Sequence, residues 1–206
     1  MENILDIYQR PYNPEIPVVC MDEKPYQLLD EKLKPLPAKP GSVKKTDCEY
    51  IRNGTCSIFV FTEPLAGLRH VEALPQRTKI DFANQVKAFV EMNYPEHEKI
   101  ILISDNLNTH NISSFYEAFD PEIARKLARK IEFHHTPKHG SWLNIAEIEL
   151  SALSTQCLKL RIPNLNILNA ELSAWESNRN LNGKAVNWQF TTDDARIKLH
   201  SLYPKI

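Results

Sequence analysis

The octapeptide KIILISDN, residues 99–106, constrains the fold more than any other stretch of the chain. Its consecutive aliphatic residues Ile100, Ile101, Leu102 and Ile103 leave a strand with no polar face. Such strands belong where both faces are covered, as in a parallel sheet flanked by helices. The run stops on Asp105. An ionised carboxylate is expensive to bury without a partner, so the rest of the chain must supply one.

The flanking segments predict an α/β architecture. Residues 16–29, IPVVCMDEKPYQLL, have the length and β-branched content of a buried strand that carries Asp22. Residues 33–55, rich in proline, glycine and lysine, read as a long basic loop without regular structure. CSIFVFTEP and LRHVEALPQ are two short strands turning at Gly67. In TKIDFANQVKAFVEMNYP the apolar residues Ile80, Ala83, Val86, Phe89 and Val90 recur with helical period, with Thr78 as N-cap and Asp81 three residues on. Helical character interrupted at Pro121, a short strand in IEFHHTP and a long helix in SWLNIAEIELSALSTQCLKL complete the order βββ-α-β-α-β-α. Helical segments follow.

The 206 residues suit one domain, with a core at about 15–160 and a helical tail over 161–206. Lysine plus arginine (25) nearly cancels aspartate plus glutamate (26), so any nucleic-acid surface must be local. Cys20, Cys48, Cys56 and Cys157 form no CxxC pair, which argues against a zinc knuckle or a disulfide framework. No segment has the apolar length to span a bilayer, and a cytoplasmic protein without a membrane partner is expected.

Functional groups gather at the carboxyl ends of strands in open α/β sheets. Asp22 and Asp105 both lie on such strands, and a third acid can come from the helix that starts near Ser141. Three converging acids repel one another unless a hard divalent cation neutralises them. Asp105 therefore reads as a metal ligand. The helix offers Glu147 and Glu149, and its apolar stripe does not discriminate between them. Asn144, Glu147, Ser151 and Ser154, however, share one small-polar stripe of the kind that faces a wet cleft. This favours Glu147.

VVCMDEKP, ILISDNLNTH and TPKHGSWLNIAEIELS together resemble the catalytic domain of insertion-sequence transposases in the mariner-related branch of the DDE superfamily. The resemblance runs over about residues 8–157. It implies an RNase H-like (retroviral-integrase-like) fold, a mixed five-stranded sheet flanked by helices. It also implies metal-dependent cleavage of DNA at transposon ends and transfer of the strands to target DNA, with TA dinucleotides as the target. Residue by residue, the family's acids fall on Asp22, Asp105 and Glu147, which would hold two Mg²⁺ or Mn²⁺ ions, Asp22 bridging them. The active complex would be a homodimer on DNA, in a nucleoid-associated prokaryotic enzyme. The spacing from Asp105 to Glu147 is longer than in mariner members. The helix-turn-helix domain that usually precedes the catalytic domain is not expected in the short stretch before Asp22.

DNA contacts are expected from the basic loop through Lys44, Lys45 and Arg52. Around the acids, His110, Lys138, His139 and Asn144 are further candidates, and Trp142 could stack on an unpaired base. Glu23 should point away from Asp22, because strand side chains alternate. A zinc site from His134, His135 and His139 is disfavoured, since Pro137 and Gly140 break the helix that would align them. Two rival readings are a plain RNase H-like nuclease and a non-cutting regulatory partner of a full-length transposase.

Overall fold

The computed structural model describes residues 1–138, 140–183 and 185–203. Its centre is a five-stranded sheet in the order β3-β2-β1-β4-β5, built from β1 (Val18–Glu31), β2 (Tyr50–Glu63), β3 (Leu68–Leu74), β4 (Ile100–Ser104) and β5 (Ile131–His135). The first three strands form an antiparallel meander, and β4 and β5 run parallel to β1. This is the mixed RNase H-like sheet expected from the sequence.

Side-chain alternation assigns each face its helices. Val19 and Met21 of β1, Phe59 and Phe61 of β2, and Ile100 and Leu102 of β4 pack under α2 (Lys79–Asn93), α3 (Ser113–Ala118) and α4 (Pro121–Lys130). On the opposite face, Cys20, Ile101 and Ile103 meet α1 (Glu2–Gln9), the start of α5 (Ala146–Gln156) and α7 (Thr192–Lys198). Ile58 and Val60 of β2 and Val71 of β3 meet Leu153 of α5 and α6 (Leu165–Leu181). The all-apolar β4 is thus covered on both sides. At α2, Thr78 accepts from the Asp81 amide and Asp81 accepts in return from the Thr78 amide, closing a capping box. Gly67 turns β2 into β3 with φ of +73°, a left-handed conformation that favours glycine.

Two expectations are corrected, and one element is added to those read from the sequence. Residues 50–55 are not loop but the outer half of β2, paired with the outer half of β1 in a two-stranded ribbon that runs beyond β3. β-Branched Ile51 and Thr55 suit that pairing, although Gly54 and the polar residues around them read as a loop. Charged residues 2–9 form α1, whose Ile4, Leu5, Ile7 and Tyr8 are buried together, a single amphipathic stripe too short to stand out as an apolar run. The long helix expected from Ser141 begins with a single 3-10 turn over residues 141–143, breaks at Asn144 and resumes as α5. Among the described residues no helix is long and apolar enough to cross a membrane.

Candidate active site

The parallel register of β1 and β4 pairs Cys20 with Ile103. Two residues beyond that pair stand Asp22 on β1 and Asp105, one residue past the end of β4, close enough to act on each other's charge. Asp22 shares the Cys20 face of β1, which is the face that α5 crosses. Glu147 lies in the first turn of α5 and lines a cleft with Asp22, Lys24, Ser151 and Ser154. Asp105 lines a second pocket with Thr136, Lys138 and Ser141.

Asn144 sets the distance between strand and helix. Its side-chain amide donates to the Met21 carbonyl at 2.8 Å, one residue before Asp22, and its oxygen accepts from the Ala146 amide at 3.2 Å. The break in the helix therefore places the start of α5 directly against β1. Asn144 is 1% exposed, so it cannot serve as the DNA contact expected from the sequence. His110 is corrected in the same way, being 1% exposed.

Crowding leaves its mark on Asp22. Burial first, then the nearby carboxylates of Asp105, Glu23 and Glu147, push its carboxyl up to about 7, against the opposing hydrogen bond from the Glu23 amide. The donor set is hard oxygen and short of positive charge, which suits a divalent cation. Among the described residues no three ligating side chains converge on one point. Asp22 and Glu147 instead share one open pocket and Asp105 lines another, and such a spread of acids suits Mg²⁺, which keeps several waters and takes only one or two carboxylates beside substrate phosphates.

Glu149 is engaged elsewhere. Its carboxylate is 3% exposed, accepts from Arg69 Nη2 at 3.0 Å and from Arg179 Nε at 3.1 Å, and ties α5 to β3 and α6. Two helical residues apart, Glu147 faces the cleft and Glu149 the interior.

Sequence reasoning missed the role of Glu23. It does point away from Asp22, onto the Met21 face, but there it is buried with Oε2 3.0 Å from His110 Nε2. His110 Nδ1 lies 2.6 Å from Asp105 Oδ1. Burial disfavours the charged ring, yet the Asp105 and Glu23 carboxylates outweigh it and raise the His110 pKa to about 9. The available signal was that a carboxylate on a core face requires a cation, and His110, read from the sequence as a DNA contact, stands five residues after Asp105.

The remaining candidates separate. Lys138 is exposed beside Asp105, and Trp142 is 40% exposed with its ring edge on Phe190. His139 lies outside the described residues. Lys44, Lys45 and Arg52 are exposed; none lines the acids' pockets, and Arg52 stands opposite Leu29 on the outer ribbon. At ~3.3 Å per residue, its far end at Glu31 is up to about 30 Å from Asp22.

Comparisons with known proteins bear on the fold and the family. No curated protein sequence matches the chain. Among solved structures, the Mos1 mariner paired-end complex with Mn is similar at a TM-score of 0.57 and 18% identity, over 86% of this chain and 52% of that one. The Mos1 strand transfer complex is similar at 0.58 and 16%, over 85% and 51%. A pre-cleavage Mos1 transpososome is similar at 0.55 and 16%, over 90% and 61%. The chain thus spans little more than half the length of these transposases, and at such identities the likeness is one of fold. The family model described as DDE superfamily endonuclease matches residues 17–169, which include Asp22, Asp105 and Glu147. With that match over most of its length and the RNase H-like sheet beneath it, the chain belongs to the DDE superfamily of endonucleases.

Proposed function

We propose that this chain is the catalytic part of a DDE transposase, which cuts DNA at transposon ends and joins the cut strands to target DNA. The observation that carries the reading is the meeting of Asp22 and Asp105 on adjacent strands with Glu147 across the cleft, within a family of endonucleases. Asp22, Asp105 and Glu147 would together hold two Mg²⁺ or Mn²⁺ ions. Such ions, when bound, polarise the phosphate and lower the pKa of an attacking water. The chain's own residues orient the strand: Lys138 beside Asp105 and Lys24 beside Asp22 face phosphate oxygens, and exposed Trp142 offers a platform for an unpaired base. Lys44, Lys45 and Arg52 engage phosphates at a distance from the cut, at the end of the ribbon. Two copies on two ends, and insertion at TA, complete the reading.

The test is nicking of supercoiled plasmid, and transfer of a labelled oligonucleotide into it, with Mn²⁺, Mg²⁺ or chelator. Wild type should cut only with metal, and Asp105→Asn should not cut. Equal cutting by both proteins, or cutting in chelator, would refute the assignment of the acids.

A further inference from the structure

His110 and Glu23 lie behind the acid cleft on the opposite face of β1 and are not explained by cutting itself. The turn after β4 returns the chain through the His110 amide, which donates to the Leu107 carbonyl at 3.0 Å. The ring enters the layer between sheet and α2, with its centroid 4.8 Å from that of Phe82. There it is wedged: no part of the side chain is exposed, and Asp105 and Glu23 occupy its two nitrogens. Glu23 Oε2 and Asp105 Oδ1 lie 3.0 Å and 2.6 Å from the ring nitrogens outside aligned hydrogen-bond geometry, and Nδ1 also lies 3.3 Å from the Asp105 backbone carbonyl, which ties the ring to the end of β4 as well.

We infer that Glu23 and His110 form a rigid strut that fixes the rotation of the Asp105 carboxylate, committing Oδ1 to the ring and turning Oδ2 to the cleft. Three observations carry this. Asp105 Oδ1 is buried although the side chain as a whole is 34% exposed, so the exposure lies on its other edge. The imidazole is flat and stiff, and with its far nitrogen held on Glu23 its near nitrogen cannot follow a rotating carboxylate. Finally, two carboxylates and an imidazole are a poor way to fill a core, since apolar residues of similar volume are commonly as stable or more so. Partners that orient metal-binding groups typically contribute 10–100-fold to metal affinity or activity when intact. His110 and Glu23 are thus positioning residues, acting through Asp105. The inference rests on the reading of Asp105 as a metal ligand.

The experiment compares Mn²⁺ affinity of the 206-residue protein by isothermal titration calorimetry, alongside melting and nicking rates. Glu23→Leu removes the far anchor, while Glu23→Gln keeps an acceptor for Nε2. Glu23→Leu should weaken Mn²⁺ binding and lower kcat for nicking by about 10–100-fold, with KM for DNA unchanged. Glu23→Gln should recover most of both. His110→Gln, too short and flexible to bridge both carboxylates, should resemble Glu23→Leu and replaces it if that variant does not fold. Wild-type Mn²⁺ affinity in folded Glu23→Leu or His110→Gln would overturn the strut alone. Wild type that binds Mn²⁺ but cuts nothing would refute the transposase reading and leave the affinity series to decide the strut. Absence of Mn²⁺ binding by wild type would overturn both.

Discussion

Replacing Glu149 with glutamine should lower the melting temperature and spare cleavage, and replacing Glu147 with glutamine should do the reverse. The Glu149 carboxylate is 3% exposed and faces Arg69, itself 4% exposed, at 3.0 Å. Arg179 Nη2 approaches the same carboxylate at 3.1 Å from α6. A glutamine keeps one acceptor but turns an NH₂ group toward two guanidinium groups. Breaking a buried pair from one side costs roughly 3–5 kcal/mol. At about 2–4 °C per kcal/mol for a chain of this size, the midpoint should fall by about 6–20 °C. Glu147 is exposed and makes no ion pair among the described residues, so Glu147→Gln should move the midpoint by no more than about 2 °C. Calorimetric or circular-dichroism melts in chelator measure the first effect, and Mn²⁺-dependent nicking well below both midpoints measures the second. A Glu149→Gln midpoint within about 2 °C of wild type would refute the account of the buried cluster. Loss of nicking by fully folded Glu149→Gln would refute the division of labour between the two glutamates.

Other perturbations bear on charge. The Asp22 carboxyl stands at about 7 in the fold against 3.8 ordinarily. The folded chain therefore binds that proton more tightly than the unfolded one, and in chelator its stability falls as pH rises from about 4 to about 7. Asp22→Asn has no charge to bury, so its melting advantage over wild type should be absent near pH 4 and complete above pH 7; an advantage independent of pH would contradict the assigned cause. Mn²⁺ at about a hundred times its Kd should stabilise wild type by about 2.7 kcal/mol, read as a rise in midpoint, and Asp105→Asn should lose most of that rise. A full rise in the mutant would remove Asp105 from the metal site. Replacing Lys44, Lys45 and Arg52 together with alanine should flatten the slope of log K against log salt for duplex DNA by up to about 2.7, at ~0.9 per phosphate contact. An unchanged slope would show that the ribbon's end does not touch DNA.

Much of the molecule was written locally. An aliphatic run with no polar side can only be an interior strand, which identified β4 and the carboxylate that ends it. Thr78 and Asp81 announced the start of α2, Gly67 the turn into β3, and Pro121 the boundary of α4, because caps, turns and proline constraints act over a few residues. Strand ends pointed to Asp22 and Asp105 and a small-polar stripe to Glu147, the order of elements was read from the same local patterns, and the resemblance agreed with both. Tertiary structure decided the rest. The helical phase used to weigh Glu147 against Glu149 ran through Asn144, where the helix breaks. What separates the two glutamates physically is a pair of arginines, one on β3 and one on α6, far apart in the chain and therefore invisible to any local pattern. The outer ribbon exists because the far half of β1, legible as strand, pairs with residues 50–55, whose polar character reads as loop until that partner is in place. Glu23 and His110 were both visible as residues, but their contact depends on the β1 pleat, the turn after β4 and the packing of Phe82 together. Long-range pairing of charges is set by the fold's geometry, and only the folded chain brings such partners within reach of one another.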